Sequence, residues 1–187
     1  RGLSAERPLM ILSENGVDHA LLTLAAMQVG VPASPISAAY SLSSKDFGKL
    51  KEIAQVLQPG LVYASDAARY ERAFSALGLP SEALITSRGR LGGSASFAEL
   101  AATAPTAAME ERFASLGPES IAKVLFTSGS TGHPKGVINT QRMLCSNQQA
   151  IAELWRFLDD KPPVIVDWLP WSHTFGGNHN LHLALRS

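Results

Sequence analysis

The densest chemistry in the chain lies between Thr127 and Gly136, where the residues run Thr-Ser-Gly-Ser-Thr-Gly-His-Pro-Lys-Gly. This stretch follows an apolar run, Ile121 to Phe126, that reads as a buried strand. Glycine lets a backbone bend sharply and expose its N–H groups, which can then ring an anionic oxygen. The hydroxyls of Thr127, Ser128, Ser130 and Thr131 add donors that rotate to fit, and Lys135 adds a point charge. Pro134 stiffens the exit and reduces the entropy lost on closing around a ligand. Together these residue types suit the oxygens of a polyphosphate. A surface turn of small residues is the plainer alternative, but it explains neither the lysine nor the proline.

Two better-known loops do not fit. A Walker A loop places Gly-Lys-Ser/Thr at the start of a helix, whereas here Lys135 precedes Gly136 and a β-type run, Val137-Ile138. The G-x-S-x-G elbow of hydrolases is also missed, because Gly129-Ser130-Thr131-Gly132 is one residue short. Farther on, His173 follows an apolar run, in the kind of loop where open α/β sheets place their ligands. Its neighbours Trp171 and Phe175 either line a pocket or belong to the core. The group His173, His179, His182 and Asp167 lacks the HExxH spacing, so no metal site is expected, and His179 and His182 fall on one exposed helix face. Cys145, with Arg142 one turn earlier, reads as a buried structural thiol.

The stretch Val124 to Val137, VLFTSGSTGHPKGV, resembles the phosphate-binding signature of the adenylate-forming (AMP-binding) superfamily of acyl-CoA synthetases, adenylation domains and luciferases. Leu169-Pro170-Trp171-Ser172-His173 is similar to the Leu-Pro-x-x-His segment of acyl- and aryl-CoA synthetases, and Pro8 to Tyr63 resembles their N-terminal domain. Two passages, from Gly30 to Leu42 and from Pro170 to Asn178, look most like feruloyl-CoA synthetases.

The resemblance implies a two-step ligase. A carboxylate attacks the α-phosphate of Mg-ATP to give an acyl-adenylate and pyrophosphate, and coenzyme A then takes the acyl group. It assigns Thr127, Ser128, Gly129, Ser130, Thr131, Gly132 and Lys135 to the β- and γ-phosphates, and His173 to positioning the acid beside the α-phosphate. The partners implied are ATP with Mg, coenzyme A and a small carboxylic acid, aromatic favoured. A fatty acyl-CoA synthetase and an adenylation domain stay open, as does a non-catalytic nucleotide-binding or interaction fragment. The family's adenine, ribose, hinge and C-terminal lysine elements find no match in this sequence, so the chain by itself is expected to be inactive.

The elements that must carry these residues alternate in type. Strands are expected at Pro8 to Ser13, Val31 to Ile36, Leu61 to Ala64, Ala83 to Thr86, Ile121 to Phe126, Gly136 to Asn139 and Val164 to Leu169. Between them fall an apolar, buried helix over Ala20 to Val29 capped by Asn15, and a helix capped by Ser43 with Phe47, Leu50, Ile53 and Leu57 on one face. Asp66 caps a third, with Tyr70, Ala73, Phe74 and Leu77 inward, and Ser96 with Glu99 forms a capping box on a short fourth. Residues 88–96 read as loop and residues 101–119 as irregular connector. A long helix covers Gln141 to Leu158 with Leu144, Ile151, Trp155 and Leu158 as its inner stripe. Such alternation means βαβ units, hence an α/β fold with a parallel-rich sheet covered by helices on both faces.

Composition sets the class. In 187 residues, 45% apolar content supplies a core, and 16 basic against 16 acidic side chains leave no broad field for a nucleic-acid backbone or an anionic membrane. The uncharged stretch Ala20 to Ser44 is broken by Gln28, Gly30, Pro32 and Pro35, so no membrane span is expected, since spanning needs about 20 mostly apolar residues. One cysteine and no leader-like opening point to a reducing, cytoplasmic setting. The chain opens without Met and stops inside a periodic apolar run at Leu185-Arg186-Ser187, which reads as a fragment. The expected organisation is a partial N-terminal domain, residues 1–187, with a first βαβ half at 1–100, a connector at 101–120, a phosphate-loop half at 121–187 and no C-terminal domain. Surfaces left bare by such a cut would favour a homodimer.

Overall fold

The computed structural model describes residues 2–127 and 132–187. These residues form a seven-stranded sheet in the order β5-β4-β3-β1-β2-β6-β7. The strands are β1 (Leu9–Ile11), β2 (Ala33–Pro35), β3 (Leu61–Asp66), β4 (Leu84–Arg88), β5 (Ala95–Ser96), β6 (Ile121–Thr127) and β7 (Lys135–Thr140). All neighbours pair parallel except β6 and β7, which form an antiparallel ladder at one edge. The helices are α1 (Val17–Gln28), α2 (Ala39–Leu42), α3 (Gly48–Leu57), α4 (Ala67–Leu77), α5 (Phe97–Ala101), α6 (Ala107–Ala114), α7 (Gln141–Leu154), α8 (Phe157–Asp160) and α9 (Leu181–Arg186).

Period-two alternation along the strands sorts the core onto the two faces. Met10, Leu12, Val62 and Ala64 point to one side, against Leu50, Ile53 and Leu57 of α3 and Tyr70, Ala73 and Phe74 of α4. Leu9, Ile11, Leu61, Tyr63 and Ile85 point to the other, against Ala26 of α1 and Phe97 and Leu100 of α5. The parallel-rich α/β sheet covered on both faces is therefore present. No helix among the described residues is long and apolar enough to cross a membrane.

Several local signals act where the sequence puts them. The Asp66 carboxylate accepts from the Arg69 N–H at 3.1 Å to cap α4, and Gly78 ends that helix in the left-handed region. Ser96 and Glu99 complete a capping box on α5.

Other expectations are corrected. Asn15 does not cap α1; Gly16 stands there, and the Asn15 side chain is used far away in the chain. Instead of Ser43, Ser44 accepts from the Phe47 N–H before α3. Helix α1 is not buried all round: Val17 and Leu21 are exposed, and His19, Thr23, Ala26 and Met27 make its inner face. The expected connector contains α6, and the expected loop before Ser96 ends in β5, which adds a short parallel strand to the sheet.

The long helix stops at Leu154, and α8 then returns Leu158 to the cluster with Ile151 and Leu183. Trp155 is not inward but half-exposed, stacked on Phe157 with ring centroids 6.1 Å apart. Cys145 is exposed rather than buried. Finally, Val164 to Leu169 is not a strand. Its alternation is strand-like, with Val164, Val166 and Trp168 93, 95 and 86% exposed and Ile165 turned inward, yet no neighbouring strand among the described residues offers its backbone a ladder.

Candidate functional site

The β6–β7 ladder fixes the base of the hydroxyl loop. After an irregularity at Ile121, its regular pairs run from Lys123 opposite Asn139 to Thr127 opposite Lys135, with Leu125 opposite Val137 between them. Side chains directly opposite in an antiparallel pair share a face, and residues two apart on one strand do too. Thr127 and Lys135 therefore stand on the same face at the final rung, where the chain leaves the sheet. Gly132 adopts φ +81, a left-handed conformation that glycine enters freely, and an added Cβ there would meet open space. His133 Nδ1 lies 3.3 Å from Glu52 of α3, tying the loop's exit to that helix. The remaining candidates, Ser128, Gly129, Ser130 and Thr131, lie outside the described residues.

His173 sits in a second feature, in the segment after α8 that packs beside the β7 end of the hairpin. It is exposed, and its Nδ1 accepts from the Phe175 N–H at 3.3 Å, which orients the ring. With Asn139, Met143, Phe175, Asn178 and His179 it lines a cavity of about 500 Å³. Phe175 and His179 stack there at 4.7 Å with planes 17° apart, and Trp155 meets His179 edge-on at 5.9 Å. Asn139 lies four residues along β7 from Lys135, roughly 13 Å of extended strand.

Trp171 and Phe175 have parted company. Phe175 belongs to the His173 cavity, whereas Trp171 packs edge-on against His19 at 5.1 Å and lines a separate crevice of about 450 Å³ beyond the ends of β1 and β2. His179 and His182 do not share an exposed face. His182 is largely enclosed, and burial, with a smaller contribution from the charge of Lys123, lowers its pKa to about 4. Among the described residues no three His, Cys, Asp or Glu side chains come together as a metal cluster.

Between Leu169 and Asn180 the chain is held by backbone contacts that only certain residues permit. The segment Phe175–Asn180 is a wide π-type turn. A Cβ on Gly176 would lie 2.6 Å from the Pro170 carbonyl oxygen, and one on Gly177 would lie 2.2 Å from that of Trp171. Asn15 straddles the same stretch, donating to the Leu169 carbonyl and accepting from the Trp171 N–H, both at 2.9 Å. Gln148 of α7 donates to the carbonyls of Asn178 and His179, and Asn178 donates to Asn139 at 2.8 Å.

Besides the role of Asn15, sequence reasoning missed Lys123. Lys123 is 1% exposed, in the middle of β6, and donates to the Gly177 carbonyl at 2.7 Å. A lysine inside an otherwise apolar strand was the available signal.

A family model for AMP-binding enzymes matches residues 1–187, the whole chain. The chain belongs to the AMP-binding enzyme family. Among curated relatives, it is 44% identical over 59 residues to the medium-chain-fatty-acid–[acyl-carrier-protein] ligase TtuA of Teredinibacter turnerae, covering 32% of this chain and 9% of that protein. It is 35% identical over 80 residues to a CoA ligase of Rhodococcus jostii that acts on a methyl-dioxo-octahydroindenyl propanoyl group, covering 43% of this chain and 15% of that protein. ATP-bound MatB from Rhodopseudomonas palustris superposes with a TM-score of 0.69 at 23% identity, over 100% of this chain and 35% of that one. At that identity the likeness shows the shared fold. The chain thus spans about a third of the solved relative and less of the curated ones.

Proposed function

We propose that these residues form the phosphate-gripping part of the N-terminal domain in an ATP-dependent acid–thiol ligase of the acyl- or aryl-CoA synthetase type. The observation that carries the reading is the final rung of the β6–β7 ladder, which sets Thr127 and Lys135 side by side at the mouth of the hydroxyl loop. In this reading Thr127, Ser128, Gly129, Ser130, Thr131 and Gly132 direct hydroxyl and amide donors at the β- and γ-phosphates, and Lys135 adds its ammonium.

The chemistry is mostly positioning and charge stabilisation. When the carboxylate attacks the α-phosphorus, one P–O bond forms, the bond to the bridging oxygen breaks, and negative charge collects on the departing pyrophosphate. Donors already fixed where that charge develops are worth about 3 kcal/mol each in comparable sites. The loop offers donors and one cation but no carboxylate of its own, so Mg, arriving as the counter-ion of ATP, would take its ligands from phosphates, water and hydroxyl oxygens. His173 and the cavity beside it receive the acid. The thiol of coenzyme A then displaces AMP from the acyl-adenylate, a step that needs parts of the protein beyond these residues.

Within the class we favour an aromatic acid of the hydroxycinnamate type, with feruloyl-CoA as product. The aromatic lining of the cavity, Phe175 on His179 with Trp155 behind, supports it because offset aromatic faces accept a flat ring. The test uses the full-length protein with ATP, coenzyme A and either ferulate or a medium-chain fatty acid. Acid-dependent pyrophosphate release supports a ligase, and a higher kcat/KM for ferulate supports the aromatic reading. Pyrophosphate release independent of any acid would overturn the ligase assignment. The 187-residue chain alone is expected to form no thioester.

A further inference from the structure

We propose that Lys123 is a positioning residue that couples the triphosphate end of the site to the acid end by fastening strand β6 to the glycine turn behind His173. The inference rests on the ligase reading above and extends it to a residue outside the signature loop.

Lys123 lies on the same face of β6 as Thr127, two alternations upstream, at a position where the strand's pattern calls for an apolar side chain. Its cross-strand partner is Asn139. Both reach the same turn: Lys123 Nζ donates to the Gly177 carbonyl at 2.7 Å, and Asn139 Oδ1 accepts from Asn178 at 2.8 Å. The Gly177 N–H in turn donates to the His173 carbonyl at 2.8 Å. Two hydrogen bonds thus run from the strand that feeds the phosphate loop to the backbone of His173. The same turn packs closely on its other side, where a Cβ on Gly177 would meet the Trp171 carbonyl oxygen.

An apolar side chain would fill the same space without the cost of burying an amine, so packing alone gives no reason for a lysine here. Burial pulls its pKa down to about 7. The ionisable groups that feel its charge are His19 of α1 and His182 of α9, both lowered to about 4 chiefly by their own burial. Neutral or charged, the amine keeps N–H groups to donate, so the tether persists on either side of neutrality.

The full-length protein carrying Lys123→Met or Lys123→Arg provides the test. Methionine keeps the unbranched apolar stem and removes the donor, and arginine keeps a donor. We expect K123M to lower kcat about tenfold and raise the acid's KM about fivefold, with the KM for ATP within about twofold, because only the acid end loses its registration. K123R should recover at least about a third of the lost kcat. Equal losses in the two variants, or K123M kinetics within about twofold of wild type, would overturn the proposal.

A measurement on unsubstituted protein decides the matter even where K123M does not fold. Inorganic pyrophosphate, which occupies the loop end alone, should slow amide exchange across Phe175–Asn180. Pyrophosphate bound, as seen by calorimetry, with exchange unchanged would refute the coupling alone. Pyrophosphate not bound at all would refute the loop reading and the coupling with it.

Discussion

Thr127 and Lys135 face each other across the last rung of the β6–β7 ladder, so the cation of the hydroxyl loop is set by strand register and not by the loop itself. Gly132 and His133 then bring the chain back to that rung, His133 held by Glu52 of α3. The loop consequently has its base in the sheet, while the cavity beside His173 depends on how the segment from Leu169 to Asn180 is held.

That second dependence predicts a severe effect at Gly177. A methyl group there would sit 2.2 Å from the Trp171 carbonyl oxygen, a backbone atom that no rotamer change can move aside. Gly177→Ala should therefore displace the turn, cost about 2 kcal/mol or more of stability and raise the acid's KM. Urea unfolding together with steady-state kinetics on the full-length protein checks both. A variant with wild-type stability and KM would show that the turn is not packed as described.

Asn15 should matter for the same segment. Its side chain satisfies one carbonyl and one N–H of the Leu169 to Trp171 backbone across more than 150 residues of sequence. Asn15→Ala leaves both groups to water and should cost about 1–2 kcal/mol, with faster amide exchange at Trp171. Unchanged exchange at Trp171 would contradict the contact.

The buried histidine on α1 predicts an acid-side loss of stability. Burial lowers the His19 pKa to about 4 from 6.5, against a smaller upward pull from its bond to the Glu14 carbonyl. The neutral form is thus favoured in the folded state. Above pH 6.5 nothing is lost; as pH falls from 6.5 through 4, the unfolded chain takes the proton first and stability drops by about 3 kcal/mol in total. Denaturant midpoints between pH 7 and pH 4 should show this slope, and His19→Gln should flatten it. An equal slope in both proteins would place the acid sensitivity elsewhere.

Sequence-local interactions were legible. Asp66 and Ser96 cap the helices they precede, and the stripe of Leu50, Ile53 and Leu57 faces the core, because those outcomes depend on neighbours within one or two turns. The parallel sheet followed from the same alternation. The segment Val164 to Leu169 was misread as a strand because strand pattern is necessary but not sufficient: a ladder needs a partner, and the described residues supply none. Asn15 and Lys123 were missed because their partners, at positions 169 to 177, are set by tertiary packing. The helical period carried the expected helix four residues beyond the true end of α7 at Leu154, which is why Trp155 was placed inward. Of the hydroxyl-loop residues, Thr127 and Lys135 stand together at the last rung of the ladder, a pairing that register sets and that the motif alone does not give. The cavity beside His173 was only half anticipated, since Phe175 lines it and Trp171 does not.

The most direct measurement is acid-dependent pyrophosphate release by the full-length protein with Lys135→Ala. Loss of one fixed cation at the leaving group should lower kcat/KM for ATP about a hundredfold, with the fold and the acid's binding retained. A variant that activates its acid as fast as the unsubstituted protein would contradict the assignment of this loop to the triphosphate.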